Sequence, residues 1–108
     1  MNTQIGNAVA EVIDAAGGQV VGRTRLQKIF YLLEVAGYGS GFRFGYKHYG
    51  PYSEDLSTAI QLGTLTGMVG EKQEMSQAGR QYSIFTSATN TYANQPESKK
   101  RIISIILK

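Results

Sequence analysis

The sequence predicts an α+β domain of the winged helix-turn-helix type: helix, helix, short strand, helix and two-stranded wing, with an additional C-terminal helix. Three observations support this prediction. Helical apolar patterns at residues 24–36 and 53–66 flank a stretch that alternates with period two. Gly50 and Pro51 form a corner between that stretch and the second pattern. Two strand-like runs, joined by a turn that ends in glycine, then follow.

The first two helices follow from apolar spacing and from the residues that end each pattern. Residues 3–16 place apolar side chains at i, i+3 and i+4, and Gly17 and Gly18 end the pattern. We interpret residues 19–21 as a short apolar link. Thr24 is predicted to cap a second helix that ends at Gly37. This helix turns Leu26, Ile29, Phe30 and Leu33 inward and leaves Arg23, Arg25 and Lys28 outside.

The middle of the chain is interpreted as a strand, a corner and a third helix. Residues 42–49 alternate, and the face expected to be buried carries Phe42, Phe44, Tyr46 and His48. Because proline lacks an N–H group, Gly50 and Pro51 should end this strand. Ser53 then caps a helix to Thr66, closed by Gly67, in which Leu62 and Leu65 widen the inward stripe. The wing is predicted over residues 68–74 and 80–86.

The end of the chain carries a last helix that is apolar on nearly every side. Pro96 is well placed to open it over residues 97–107. We expect Ile102, Ile103 and Ile106 to contact a second copy, giving a homodimer, or further residues beyond Lys108. The chain is accordingly divided into a winged-helix-like domain at residues 1–90 and a C-terminal helix at residues 91–108.

Composition argues against catalysis and against most bound groups. The 108 residues include no cysteine and one histidine, and the glycines form no nucleotide-binding motif. His48 has no cysteine or carboxylate cluster at catalytic or metal-ligand spacing, so we expect no enzyme, metal or cofactor. The chain shows neither a signal-peptide pattern nor a membrane-spanning run, so we expect a cytoplasmic protein without membrane contact.

The charge pattern leaves two binding functions open. Net charge is +3, and residues 23–47 contain five basic residues and one acid. Candidate DNA contacts are Arg23, Arg25, Lys28, Lys47, Lys72 and Arg80 to phosphates and Thr58 and Gln61 to bases. Glu54 and Asp55, however, would place negative charge at the start of the recognition helix. The alternative is a protein-interaction domain, antitoxin-like, in which Tyr49 and Tyr52 form a platform for a partner.

The paired motifs GRTRLQKIFYLL and FRFGYKHYGPYSEDLSTAI resemble a known family. They are similar to the YwgA-like winged-helix proteins of bacteria and archaea, which are uncharacterised. More distantly, they resemble the Panacea domains that accompany toxin–antitoxin systems. The likeness covers roughly residues 5–86 and implies a winged-helix fold and a class of partner, but no assigned activity.

Overall fold

A computed structural model describes residues 3–47, 50–88, 101 and 103–105 of the chain. These residues form a mixed α+β fold of helices and two small antiparallel sheets. In chain order the elements are α1 (Thr3–Ala15), β1 (Gln19–Val21), α2 (Arg23–Val35), β2 (Gly45–Lys47), β3 (Gly50–Tyr52), α3 (Glu54–Thr66), β4 (Val69–Met75) and β5 (Gln81–Ser87). None of the helices in the described ranges is long and apolar enough to cross a bilayer.

The larger sheet contains β1, β5 and β4 in that spatial order, so β4 is an edge strand. The hairpin predicted over residues 68–74 and 80–86 is confirmed as β4 and β5. The interpretation of residues 19–21 as a link was wrong, because β1 pairs with β5 and places buried Val20 opposite buried Phe85. Three residues are too few to show a period, and their strand conformation depends on a partner more than sixty residues away.

The hydrophobic core joins the helices to one face of this sheet. Helix α1 lies against α3 and β5, and the side chain of Phe85 is fully buried. The core cluster includes Ile29 and Phe30 of α2 together with Leu56 and Ile60 of α3. Residues of α2 and α3 therefore belong to one hydrophobic core.

Helix α2 begins earlier than the sequence suggested. Its N-cap is Gly22, which makes no side-chain cap, so the prediction that Thr24 caps this helix was wrong. Gly22 has a φ of 98°, a conformation that side chains disfavour, and its N–H donates to the Ser83 carbonyl at 2.8 Å. Pairing with β5 thus fixes the point at which the chain turns into the helix.

The predicted strand over residues 42–49 is mostly replaced by a short hairpin. Among the described residues of that stretch, 42–47, Gly45–Lys47 alone forms a strand, and it pairs with Gly50–Tyr52, which was expected to be a corner. Pro51 is accommodated because a two-stranded hairpin has an edge on which no N–H donor is needed. Phe42 and Phe44 are half-buried, whereas Tyr46, expected inside, is exposed.

Helix α3 agrees best with the sequence. Ser53 is its N-cap and accepts a hydrogen bond from the Leu56 N–H, and Gly67 closes it in a left-handed conformation. Leu65 is the exception, since its side chain is exposed although it was placed on the inward stripe. It lies on the helical face opposite the core.

Within the predicted C-terminal helix, the structure describes residues 101 and 103–105, and these residues are helical. Ile103 is fully buried in the core of the same chain. The expectation that it contacts a partner was therefore wrong, because this side chain is not accessible. Its neighbour Ile105 is exposed. Ile102 and Ile106, the other residues expected at a partner surface, lie outside the described residues.

Candidate binding site

The site is organised around Gln27, a polar side chain of α2 that is only 3% exposed. Its Oε1 accepts a hydrogen bond from the Ser53 N–H at 2.8 Å, and its Nε2 donates to the Ser53 carbonyl at 3.1 Å. The amide therefore pairs with the backbone of the α3 N-cap much as a neighbouring strand would. Through this one side chain, α2 holds the start of α3.

The same amide continues into a short hydrogen-bond chain. Nε2 of Gln27 also donates to Ser57 Oγ at 3.2 Å, and Ser57 Oγ donates to the Tyr52 hydroxyl at 2.9 Å. The Lys47 ammonium lies 4.6 Å from the centroid of the Tyr52 ring and 3.4 Å from a carboxylate oxygen of Glu54. Helix α2, the β2–β3 hairpin and α3 are thus linked by polar contacts.

A cavity of about 300 Å³ lies at this junction. Its walls come from α2 (Arg23, Thr24 and Gln27), from the hairpin (Lys47, Gly50, Pro51 and Tyr52) and from α3 (Ser57 and Ile60). Two of these residues are cations, and the others supply hydroxyl groups, an amide and apolar surface. The described part of the chain contains no group of residues that could hold a metal ion.

Arg23, the first residue of α2, ties this helix to the β4–β5 hairpin. Its guanidinium lies 2.7 Å from Glu71 Oε2, which also accepts a 2.6 Å hydrogen bond from Ser83 Oγ, and 5.9 Å from the Phe85 ring centroid. Partial burial acts to raise the pKa of Glu71, but the hydrogen bonds from Ser83 and Arg23 and the charge of Arg23 outweigh it. The pKa of Glu71 is consequently lowered.

A row of aromatic rings extends from α2 to the hairpin. The centroid of Tyr31 lies 5.6 Å from that of Phe44 and 6.4 Å from that of Tyr46, both edge-on, and the hydroxyl oxygens of Tyr31 and Tyr46 are 3.3 Å apart. The hydrogen bond and charge interaction with Tyr46, with a smaller effect of burial, raise the pKa of Tyr31. Tyr46 is nevertheless 76% exposed.

The loop that leads into the hairpin is held by Glu34. One carboxylate oxygen accepts hydrogen bonds from the N–H of Gly41 at 2.6 Å and of Phe42 at 3.0 Å. Gly39 lies against the same carboxylate, and a Cβ at that position would overlap it. Phe42 then packs edge-on against Phe30, with ring centroids 5.5 Å apart. No local pattern in the sequence indicates this contact, because Glu34 does not differ there from an ordinary outward-facing residue.

The expected DNA contacts are dispersed in the structure. Arg23 and Lys47 meet at the cavity, Arg25 and Lys28 are exposed on α2, and Thr58 and Gln61 are exposed on α3. Lys72 is exposed on β4, 2.9 Å from Glu74, which raises the pKa of the lysine, and Arg80 is exposed just before β5.

The expected partner contacts are only partly described. Tyr52 lines the cavity, but Tyr49 and His48 lie outside the described residues. Three residues of the site were not singled out from the sequence: Gln27, Ser57 and Glu71. The one signal was for Gln27, whose position three residues before Phe30 places it beside the inward stripe of α2.

Comparison with known proteins gives a partial similarity. The chain is 28% identical over 74 residues to the uncharacterized protein YwgA of Bacillus subtilis (strain 168). The matched segment covers 68% of this chain and 45% of YwgA, so the chain spans less than half the length of that relative. No family model and no solved structure matches the chain. The similarity supports a YwgA-like family of unknown function.

Proposed function

We propose that this chain is a non-enzymatic protein-binding module built on a winged-helix frame. The chain order α1, β1, α2, α3, β4 and β5, with the sheet order β1-β5-β4, is the order expected of a winged helix. The β2–β3 hairpin is then an insertion between the two helices of a helix-turn-helix. The insertion builds a binding surface that a minimal winged helix would lack.

The observation that carries the proposal is that the ring of Tyr46 is exposed to solvent and yet restrained by contacts with Tyr31. This side chain is 76% exposed, although its hydroxyl and ring both contact Tyr31. Large aromatic residues that lose little freedom on binding are enriched at the energetic centres of protein interfaces. Phe44 extends the apolar surface, and Lys47, at the end of the same strand, adds a cation. We call Tyr31, Phe44 and Tyr46 the aromatic face.

The charges of α3 favour a protein over DNA. In a DNA-binding winged helix, the residues near the start of this helix contact base edges and phosphates. Here that start is occupied by exposed Glu54 and Asp55, and α3 contains no basic residue. Thr58 and Gln61 remain exposed, but they would approach DNA beside two carboxylates.

Ion pairs weaken the positive patch further. Arg23, Lys47 and Lys72 each lie within 3.4 Å of a carboxylate oxygen, those of Glu71, Glu54 and Glu74 respectively. A cation that already faces an acid releases fewer counterions from DNA, because part of its charge is compensated. The net field of the surface is therefore weaker than the count of basic residues suggested.

The experiment is site-specific photo-crosslinking inside the cells that make the protein. A photoreactive phenylalanine analogue is placed at Tyr46 or, as the matched control, at Leu65, since both side chains are 76% exposed but Leu65 lies on α3. We expect position 46 to give one dominant protein adduct, competed by excess unmodified chain, and position 65 to give about tenfold less. Equal labelling at the two positions would contradict the proposal.

DNA binding is the second candidate, and exposed Arg25 and Lys28 on α2 are the observation that favours it. If DNA is the ligand, affinity for random duplex should fall steeply between low and physiological salt. Replacing both residues by alanine should then reduce the salt slope by about two. Under the protein-binding proposal, DNA affinity is weak at every salt concentration, and the double variant still gives the position-46 adduct.

A further inference from the structure

We propose that the cavity between α2, the β2–β3 hairpin and α3 binds a carboxylate carried on a small branched apolar body. The cavity measures about 300 Å³, and its described lining does not include Tyr46. The proposal is therefore independent of the aromatic face and of the function assigned to it. Three features of the lining lead to the ligand: the direction of a hydrogen-bond chain, the sign of the charges and the apolar walls.

The orientation of the Gln27 amide in the hydrogen-bond chain is fixed by the backbone of Ser53. The Ser53 N–H can only donate, so the group that receives it must be Oε1 of Gln27, and Nε2 must face the Ser53 carbonyl and Ser57. Ser57 Oγ accepts from this amide and donates its own proton to the Tyr52 hydroxyl at 2.9 Å. The Tyr52 proton finds no acceptor among the residues that the structure describes, which leaves this hydroxyl as a donor at the cavity wall.

The charged groups that line the cavity have one sign. Arg23 and Lys47 are at its wall, and within the described ranges the lining contains no acid. Each cation also touches a carboxylate beyond the cavity, Glu71 at 2.7 Å and Glu54 at 3.4 Å. The field inside is therefore that of two partly neutralised cations, which suits a single negative charge better than the double charge of a phosphate.

The remaining walls are apolar and set the size of the ligand. Pro51, the Tyr52 ring and Ile60 line the cavity beside the polar groups. A volume of about 300 Å³ admits a small organic molecule. It lies at the small end of ligand cavities. A carboxylate on a leucine-like body meets all three requirements.

The test compares 4-methylpentanoate with 4-methylpentanamide, which has the same shape and no charge. Each is titrated into ¹⁵N-labelled protein at constant pH and ionic strength, and the signals of the Gln27 side-chain amide and of Ser57 and Ile60 are followed. We expect the acid to bind at least about tenfold more tightly than the amide and to shift these signals. Equal binding of the two, or no shift with the acid up to about 10 mM, would overturn the proposal.

Variants separate the two polar contributions. Tyr52→Phe removes the hydroxyl, which also accepts from Ser57 Oγ, and Lys47→Gln removes one charge. Each should weaken binding of the acid about tenfold and binding of the uncharged amide by less. Lys72→Gln is the matched control, because Lys72 is an exposed cation on β4, away from the cavity lining. A similar loss in the control would overturn the assignment to the cavity. The ¹⁵N spectrum of each variant without ligand confirms that it is folded.

The source of the carboxylate is decided by one further titration. N-acetyl-glycyl-leucine carries the same branched body on a peptide chain that ends in a free carboxylate. Tighter binding of this peptide than of 4-methylpentanoate assigns the cavity to the C-terminus of a protein. Tighter binding of 4-methylpentanoate assigns it to a free organic acid. Failure of both would leave the photo-crosslinking result at position 46 unaffected, because that residue does not line the cavity.

Discussion

Helix α2 is tied to two neighbouring elements by contacts of opposite character. Toward α3 the tie is Gln27, a neutral amide that is 3% exposed and bonded to the backbone of Ser53. Toward the β4–β5 hairpin the tie is Arg23, whose side chain is 62% exposed, paired with Glu71, whose side chain is 19% exposed. The contact through Gln27 is buried and uncharged, whereas the contact through Arg23 is charged and partly exposed to solvent.

The difference determines which tie holds the fold and which can respond to conditions. A buried group that loses its partner incurs the full cost of desolvation, whereas a half-exposed ion can recover much of its interaction from water. Salt and pH act on the second tie and leave the first almost untouched. The position of α3 should therefore be robust, and the attachment of α2 to the β4–β5 hairpin should be adjustable.

The largest effect is expected from Gln27→Leu. The substitution keeps the size of the side chain but leaves the buried Ser53 N–H without a partner and the Ser53 carbonyl with the Ser57 N–H alone, so the free energy of unfolding should fall by about 2–4 kcal/mol. Urea unfolding followed by circular dichroism measures the change. Lys28→Leu, at the next and exposed position of α2, is the control and should change stability by less than about 0.5 kcal/mol. Similar losses in both variants would show that Gln27 is not the tie.

A smaller effect is expected from Ser53→Ala. This change removes the side-chain cap on the Leu56 N–H but keeps both backbone groups that bond to Gln27. The expected loss is about 1 kcal/mol, the usual value for a helix N-cap. Thermal unfolding compares the two variants directly. An equal loss of unfolding free energy in Ser53→Ala and Gln27→Leu would contradict this account. It would mean that the hydrogen bonds of Gln27 to the Ser53 backbone add nothing beyond the side-chain cap.

Glu71→Gln should cost about 0.5–1 kcal/mol at neutral pH, and this cost should depend on pH. Because the pKa of Glu71 in the folded protein is lowered from 4.5, its stabilising effect is present above pH 4.5. The effect is lost as the pH falls through the lower folded value. Urea unfolding at several pH values should show the difference between wild type and variant shrinking below about pH 4.5. For Gln27→Leu the difference in the free energy of unfolding from wild type should not change with pH. The same pH dependence in both variants would refute the distinction between the uncharged contact and the charged one.

The smallest effect is expected from Lys72→Ala. Lys72 and Glu74 form a 2.9 Å ion pair on β4, but the lysine side chain is 75% exposed. Exposed pairs of this kind contribute little, so stability should change by less than about 0.5 kcal/mol and the change should vanish in high salt. Thermal unfolding at two salt concentrations provides the measurement. A loss of stability comparable to that of Glu71→Gln would contradict this prediction. It would mean that the greater burial of the Arg23–Glu71 pair does not make it stronger than the Lys72–Glu74 pair.

The sequence predicted those elements whose signals are local. Helix α3 was predicted to within a residue because Ser53 and Gly67 mark its ends, and the β4–β5 hairpin because its two runs are seven residues long and separated by a glycine turn. Strand β1 was missed, since its three residues become a strand only through pairing with β5. The start of α2 was misplaced for the same reason, because Gly22 is positioned by Ser83.

The candidate site could be predicted only in its charged and aromatic residues. Arg23, Lys47 and Tyr52 were singled out from their chemistry, and all three line the cavity. Gln27 and Ser57 were not, because their importance comes from a contact between residues 30 positions apart. No pattern along a single helix reveals such a contact. The hairpin that brings these residues together was itself obscured by Pro51, which usually indicates the end of a strand.

The place of β4 at the margin of its sheet has a consequence for how concentrated solutions of this protein behave. An outermost strand offers unpaired backbone groups to any other chain, and long apolar strands in that position promote fibril formation. Here Glu71, Lys72 and Glu74 occupy consecutive or near-consecutive positions along β4. A second molecule adding to this strand would have to desolvate those charges, which disfavours self-association through β4.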